Sequence, residues 1–373
     1  MDLRDLSDVL IADGPFVTVL VESESAVEKP ADKYELVWKD VSRELIDKGL
    51  DGATVDAVLS AKGTHGEGNA RLVVAVVDDH QVKLAMSLRH APRQPIVDVA
   101  PLPHLLPLVE ELSQRVPYVL VKADRAGATI EAWREAGEKA REVSGTADTG
   151  WGPDPRGPSK WQHTAHQHEL ESGWIGDIAS DIAQTVSRLA SEVKPELVIG
   201  VGDQRELKAI EEHLPGDLRP KWATVEGGRG EDGGEGLVRK RVSDLLHRHT
   251  AAKTLTELED YSQERGQLKR AVDGVGPVVA ALQKAQVQTL LVTTDAPTEG
   301  VLWFGPEPAQ VGNSPEELAA IGVPMPSSGP VVDVLLRAAI GTGADVSLVP
   351  HEIELAPHGG VGALLRYADE LGQ

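Results

Sequence analysis

The residues of this chain best suited to chemistry lie in one stretch, Pro158 to His168. Its sequence PSKWQHTAHQH combines Lys160, Trp161, Gln162, His163, His166 and His168 with no acid, and Arg156 stands just ahead of it. A cation neutralises phosphate while indole and imidazole rings stack on bases, so this set suits a single-stranded RNA surface. A plain surface loop accounts for the same residues, and both readings stay open. The histidines also invite a metal, because imidazole ligates zinc or nickel. Their spacing is neither the helical HExxH pair with its general base nor a closed structural site, and no cysteine exists to complete one. No metal centre and no cofactor is expected.

A second cationic group, Arg239, Lys240 and Arg241, is followed by His247, Arg248 and His249 on a predicted long helix. It can approach RNA, although a solvated helix face explains it equally well. In VIGVGDQREL, Gly200 and Gly202 could turn backbone amides toward a phosphate at a helix N-terminus. The third glycine of the dinucleotide fingerprint is missing, and no G-x-x-x-x-G-K-[ST] occurs, so a structural tight turn is expected. Gly227 to Gly236 mixes Arg229 with Glu231, Asp232 and Glu235, acids that repel phosphate, and reads as a flexible loop. There is no G-x-S-x-G, and no two carboxylates stand out as an acid-base pair, so no catalytic residue is assigned.

Several segments must position these groups. At 373 residues the chain suits two or three domains. Its apolar 41% is almost wholly aliphatic, with two Phe, four Tyr and seven Trp, as suits mixed α/β packing. The lack of cysteine excludes disulfides, thiolate metal sites and cysteine nucleophiles and fits a reducing cytosol. The acidic start MDLRDLSDVLIADGPF has no basic region and no continuous apolar run, and no window approaches the about 20 apolar residues of a membrane span. A cytoplasmic protein is expected. The formal charge of −22 argues against wrapping nucleic acid over a wide area, yet leaves room for a local basic face.

Periodicity divides the chain into an N-terminal α/β domain (1–115), a middle domain (116–266) and a C-terminal α/β domain (267–373). The first carries a half-buried strand from Phe16 to Val21 and a helix from Ala31 to Lys48. That helix places Leu36, Val37, Val41, Leu45 and Ile46 on one face, with Gly49 to stop it. A short helix, Ala53 to Ser60, precedes the loop Lys62 to Asn69, KGTHGEGN, which leads into strands 71–77 and 82–88. Prolines at 92, 95, 101, 103 and 107 punctuate the exit, with a helix candidate from His104 to Arg115.

The middle segment opens with a hairpin, YVLVKAD and ATIEAWR, turning at Arg125 to Gly127. A loop of about two dozen residues from Ser144 to Gln167, far beyond ordinary loop lengths, carries the lysine, tryptophan and histidine cluster. Helix 175–193, strand 196–201, helix 204–214, strand 222–225 and a long helix ending near Gly266 follow. The last segment reads helix 275–285, strands 289–294 and 301–304, helix 331–340 and strand 346–350, a small α/β sandwich.

Together these segments resemble the bacterial branch of the archaeal and eukaryotic class-I peptide chain release factor and Pelota family, most nearly its actinobacterial, hibernation-factor-like members. The hairpin YVLVKADRAGATIEAW, the long loop and ELVIGVGDQREL are similar to the family's RNase-H-like middle domain. TLLVTTD and HGGVGALLRY are similar to its L7Ae-like C-terminal domain. The resemblance implies a three-domain architecture and a factor that acts on the ribosome.

Terminating members hold a Gly-Gly-Gln trigger at the tip of the middle-domain loop. Here the corresponding run is Gly157, Pro158, Ser159, Lys160, Trp161 and Gln162, in which only the glutamine matches. The Asn-Ile-Lys-Ser and Tyr-x-Cys-x-x-x-Phe stop-codon readers are absent as well. What the resemblance then implies is occupancy of the A site of idle or stalled ribosomes by a monomer that does not hydrolyse peptidyl-tRNA. Its partners would be ribosomal RNA and elongation factor Tu or another translational GTPase, with no membrane. Lys160 to His163 would lie toward the peptidyl transferase centre and the Lys62 to Asn69 loop toward the decoding centre. Two alternatives stay open: Pelota-like rescue with subunit splitting, and a peptidyl-tRNA hydrolase or metal-dependent nuclease using Gln162 or the histidines.

Overall fold

The computed structural model describes residues 9, 14–23, 30–64, 68–92, 94–124, 127–134, 139–146, 150–151, 170–227, 235–267, 270–294 and 300–368. In chain order the elements begin with β1 (Phe16–Glu22), α1 (Pro30–Asp47), α2 (Gly52–Ser60), β2 (Ala70–Val76), β3 (Val82–Leu88), β4 (Ile96–Ala100) and α3 (Leu106–Ser113). Next come β5 (Tyr118–Asp124), β6 (Gly127–Trp133), β7 (Lys139–Thr146), β8 (Gly150–Trp151), α4 (Leu170–Val193), β9 (Leu197–Val201), α5 (Gln204–His213), β10 (Trp222–Val225) and α6 (Glu235–Gly266). The last stretch holds β11 (Ala271–Asp273), α7 (Val275–Gln283), β12 (Val287–Thr293), β13 (Val301–Phe304), β14 (Val311–Gly312), α8 (Pro315–Ala320), β15 (Ser327–Pro330), α9 (Val331–Gly341), β16 (Asp345–Val349) and β17 (Val361–Leu365). Contacts gather these α/β elements into two units, residues 1–113 with 253–373, and residues 114–252.

In the first unit an antiparallel sheet runs β3-β2-β1-β4. Because strand side chains alternate, Val17, Val19 and Val21 face one way, against Tyr34, Trp38, Val41 and Leu45 of α1 and Val55 and Val58 of α2. The opposite face, with Phe16, Leu20, Leu72 and Val74, enters a core shared with Leu105 and Leu108 and with Val331 and Leu335 of α9. Strand β1 is therefore buried on both faces rather than half-buried, since the C-terminal segment covers the side that local alternation leaves open. Helix α1 also corrects the expected stripe. Tyr34, Trp38, Val41 and Leu45 point inward while Leu36 and Ile46 are exposed, because the two large rings, one turn apart, set the buried face.

Asp51 caps α2, its side chain accepting from the Thr54 N–H at 2.8 Å, and Gly49 ends α1 with φ 87°. Strand β4 is flanked by Pro95 and Pro101 at an edge of the sheet, where a missing N–H costs no ladder bond. The prolines that read as an exit frame a strand. The C-terminal segment adds a mixed sheet, β11-β17-β12-β16, in which only β12 and β16 pair in parallel, and a small antiparallel sheet, β14-β13-β15. Arg366 closes this unit: Nη1 donates to the Ala285 carbonyl at 2.8 Å, and Nη2 to the carbonyls of Thr342 and Gly343, just past the ends of α7 and α9.

Helix α9 is buried nearly all round and carries two charges, Asp333 and Arg337, inside the unit. Arg337 donates to the carbonyls of Gly305 and Pro306 and lies 5.1 Å over the Phe304 ring. Asp333 accepts from His104 Nδ1 at 2.7 Å, while His104 Nε2 donates to Asp98 at 3.0 Å and the His104 backbone N–H donates to Thr18 Oγ1 at 3.2 Å. Two carboxylate acceptors require a proton on each ring nitrogen, so His104 is an imidazolium. The hydrogen bond that His104 donates to Asp333, opposed by burial and aided by Asp98, raises the imidazole pKa to about 9. Burial pushes the Asp333 carboxyl up against the pull of His104, so the pair's net contribution is smaller than the His104 shift alone.

The second unit is a six-stranded sheet, β10-β9-β5-β6-β7-β8. Strands β10, β9 and β5 run parallel, and β5 to β8 form an antiparallel meander, an RNase-H-like order. One face, with Val119, Val121, Ile130 and Ala132, packs on Ile182, Val186 and Leu189 of α4 and on Leu207 and Ile210 of α5. The other face, with Leu120, Ile199 and Val201, packs on Val238 and Val242 of α6. Helix α6 contributes residues up to 252 here and from 253 to the first unit, where Leu258 and Tyr261 join Leu291 and Val349. Ser144 to Thr146 belong to β7 and Gly150–Trp151 to β8, so the expected loop starts later than its composition implies. The charged run KAREVSGT hides its pairing with β6, and α4 starts five residues before the expected Ile175.

A folded pKa raised above the unfolded value means that the His104 contribution is complete below about pH 6.5 and is lost as pH rises through about 9. Thermal melts of the unmodified protein are therefore expected to show a lower Tm at pH 9.5 than at pH 7. In His104→Gln that difference should shrink, with the pH 7 Tm already reduced. Equal pH dependence in the two proteins would contradict the imidazolium assignment.

Candidate functional site

Charge divides unevenly between the units. Residues 114–252 hold 19 Lys and Arg against 23 Asp and Glu, whereas the first unit takes the remaining 18 and 36 of the chain's 37 and 59. Nearly all of the acidity that opposes RNA binding thus lies in the first unit, and the second is close to neutral.

Of the residues expected to meet RNA, Arg156, Lys160, Trp161, Gln162, His163 and His166, like His168, lie outside the described residues. The stretch that carries them is bounded by β8 and α4 of the second unit. The other three sit on the first turns of α6. Arg239 pairs with Glu235 one turn before it at 3.4 Å, and Arg241 pairs with the Glu226 carboxylate at 3.5 Å. Lys240 is exposed, and none of the ion pairs found among the described residues involves it. Exposed pairs of this kind contribute about 0–1 kcal/mol, so they leave Arg239 and Arg241 able to exchange a carboxylate for a phosphate. Farther along, Arg248 donates to the Asp244 carbonyl and His249 lies 3.0 Å from Glu196.

The hairpin β5–β6 carries a polar cluster that sequence reading did not single out. Glu131, nearly buried, lies 3.1 Å from Lys122 Nζ and 3.5 Å from Lys139 Nζ, and accepts from the Trp133 indole N–H at 3.2 Å. Burial opposes its ionisation, but the Lys122 hydrogen bond and the two lysine charges outweigh it and hold the carboxyl below its ordinary range. Tyr118 stacks on Trp133 with centroids 5.7 Å apart, and Lys139 lies 5.5 Å from the same ring. Lys122, Glu131, Trp133 and Lys139 come together by strand register, which no short motif announces.

The VIGVGDQREL turn is structural, as expected. A Cβ on Gly202 would stand 2.5 Å from the Ala123 carbonyl oxygen, so β5 and the turn can approach only without a side chain there. Asp203 caps α5 by accepting from the Arg205 N–H at 2.9 Å, which satisfies an amide that a phosphate would otherwise use. A cavity lined by Ala123, Asp124, Ile178, Ile182, Glu206 and Ile210 has about 20 Å³ of water-accessible space, room for one water and not for a nucleotide. No group of three or more His, Cys, Asp or Glu able to hold a metal occurs among the described residues. None of their helices is long and apolar enough to cross a membrane.

In the first unit the loop Lys62 to Asn69 is described at both stems, residues 62–64 and 68–69. Tyr34 donates its hydroxyl to the Lys62 carbonyl, and Lys62 Nζ binds the Glu35 carboxylate at 2.8 Å. On the other stem Ser23 Oγ donates to the Gly68 carbonyl at 2.6 Å. A further cluster joins Asp273 to His358 at 2.6 Å and to Arg265 at 3.1 Å, beside the buried Tyr261.

Residues 117–267 match the model of bacterial archaeo-eukaryotic release factor family 2. The chain is 24% identical over 376 residues to two uncharacterized Mycobacterium tuberculosis proteins, MT2704 of strain CDC 1551 and Rv2629 of strain H37Rv, covering 96% of this chain and 95% of each. Among solved structures, Archaeoglobus fulgidus Pelota is 17% identical with a TM-score of 0.36, covering 80% of each chain. Saccharomyces cerevisiae Dom34, described as a translation termination-like factor interacting with Hbs1, is 10% identical with a TM-score of 0.41, covering 98% of this chain and 92% of that one. The match to the release-factor family lies in the middle segment of the chain.

If the glycine turn serves close packing, Gly202→Ala should destabilise the protein by about 2 kcal/mol or more in urea unfolding. Inorganic phosphate should leave the Tm of both proteins unchanged. Phosphate stabilisation that Gly202→Ala abolishes would restore the anion-site reading.

Proposed function

We propose that this chain is a cytoplasmic, ribosome-associated factor that occupies the A site of idle or stalled ribosomes without hydrolysing peptidyl-tRNA, and so protects them under stress. One observation carries the reading. Residues 117–267 match a release-factor family, while the run that the resemblance sets against the family's Gly-Gly-Gln trigger is GPSKWQ. A Pro-Ser-Lys-Trp segment has neither the backbone freedom nor the small size of paired glycines, so the glutamine lacks the setting that hydrolysis uses. The same substitutions add a cation and a large ring, which favour holding RNA over cleaving an ester.

In this reading Lys160, Trp161, Gln162 and His163 approach the peptidyl transferase centre, and Arg156 and His166 are further ribosomal RNA contacts. Arg239, Lys240 and Arg241 neutralise ribosomal RNA phosphates, and the Lys62 to Asn69 loop faces the decoding centre. The near-neutral charge of the second unit supports the assignment of the phosphate contacts of Arg239, Lys240 and Arg241 to it. The first unit's acidity favours delivery by a protein partner, elongation factor Tu or another translational GTPase, over unaided electrostatic capture.

Purified protein is expected to co-sediment with intact bacterial ribosomes on sucrose gradients and leave subunits joined. A Lys160→Ala, Trp161→Ala double variant should bind at least about tenfold more weakly, as expected when one stacking ring and one cation are removed. Replacing Arg239, Lys240 and Arg241 by Ala should lower the salt dependence of binding by about one unit of slope for each phosphate no longer neutralised. Protein that stays at the top of the gradient at low salt with elongation factor Tu present would sink the reading. Released subunits would replace it with Pelota-like rescue, and peptidyl-tRNA hydrolysis that disappears in Gln162→Ala would replace it with an enzyme.

A further inference from the structure

Strands β2 and β3 and helices α1 and α2 of the first unit meet at the segment 61–64, and the side chains of Arg71 and Tyr34 hold its carbonyls. Arg71, on β2, donates Nε at 3.0 Å and Nη2 at 2.8 Å to the Ala61 carbonyl, and Nη1 at 3.2 Å to Ser87 Oγ on β3. Gly63, at φ 71°, lies directly on this group: a Cβ there would stand 3.0 Å from the guanidinium carbon. Any larger residue at Gly63 would displace either the backbone or the cation. From α1, Tyr34 holds the next carbonyl, that of Lys62.

The second stem is held from β1 and β3. The Ser23 N–H donates to the Asn69 carbonyl at 2.9 Å, and the Asn69 N–H donates to the Leu88 carbonyl at 2.8 Å. Both ends of a glycine-rich loop are thus fixed to the rigid sheet.

Arginine is an expensive choice for a strut unless its geometry is needed. Among the described residues no carboxylate pairs with Arg71, so its planar fork serves a carbonyl and a hydroxyl. Lysine has one nitrogen and cannot span Ala61 and Ser87 with the same fixed angle. A loop held in its bound conformation before encounter loses less freedom on binding, which is where such a strut acts.

We infer that Arg71 is a positioning residue that preorganises the stem 61–64 for contact with ribosomal RNA, an inference that rests on the A-site reading. Tyr34 supports it at the neighbouring carbonyl.

The test uses the full chain in two arms. In the free protein, hydrogen exchange at Lys62 to Thr64 should accelerate about tenfold in Arg71→Ala and in Arg71→Lys, and less in Tyr34→Phe, with exchange in the sheet and the Tm nearly unchanged. On ribosomes, Arg71→Ala and Arg71→Lys should both weaken co-sedimentation about tenfold with the salt slope of the unmodified protein. Unchanged exchange at 62–64 in all three variants overturns the inference, as does accelerated exchange with unchanged ribosome affinity. A slope lowered by about one unit in Arg71→Ala and restored in Arg71→Lys also overturns it, making Arg71 a phosphate ligand itself. If the unmodified protein does not bind ribosomes, the A-site reading fails alone, and the exchange arm still decides whether Arg71 holds the stem. Should Arg71→Ala not fold, Arg71→Lys and Tyr34→Phe carry the same comparison.

Discussion

A carboxylate buried in an aliphatic core must find a cation, and for Asp333 of α9 that cation is His104. The imidazolium reaches Asp98 with its other nitrogen, and Lys48 lies 3.4 Å from Asp98 in turn. Strand β4, the segment before α3, and α9 are thereby held in one register although 229 residues separate His104 from Asp333. Around this polar link the packing is apolar and tolerant of shape. The charge pair is directional, and it fixes which residues of α9 face the N-terminal sheet.

Much of the architecture could be read locally. Helix α2, strands β3 and β13 and the β5–β6 hairpin end within a residue or two of where turn chemistry and periodicity place them. What could not be read depends on distant partners. Strand β1 alternates as a one-sided strand would, and only the C-terminal half of the chain shows that both sides are covered. Leu36 and Ile46 fit a helical stripe by hydropathy, yet Tyr34 and Trp38 carry more buried surface and turn the helix about its axis. Strand β7 is rich in charge because its polar side chains face Glu131 and solvent, so composition conceals it.

The candidate site was legible as composition and not as geometry. Lys160, Trp161 and the histidines stand out because they are basic and aromatic in an acidic chain. Arg71, Tyr34 and Ser23 have no such signature, since their roles lie in the carbonyls they bind, and carbonyls are the same at every position. His104 and Glu131 are likewise ordinary in sequence and become distinctive only when strand register brings two or three ionisable partners within reach. The two halves of the molecule also differ in kind. One is strongly acidic and the other nearly neutral, a division that a single net charge averages away.

The first unit is discontinuous in the chain, with residues 114–252 set between its two parts. On the ribosome that synthesises it, the order of emergence is therefore the reverse of the order of need. The N-terminal sheet leaves the exit tunnel with one apolar face uncovered, and its cover, α9, follows more than 200 residues later. At about 5–20 residues per second that interval is on the order of ten seconds or more. The middle unit can close its own cores within that time. The last unit to finish folding is then the one that begins at the N-terminus, and until α9 emerges one apolar face of its sheet has no cover.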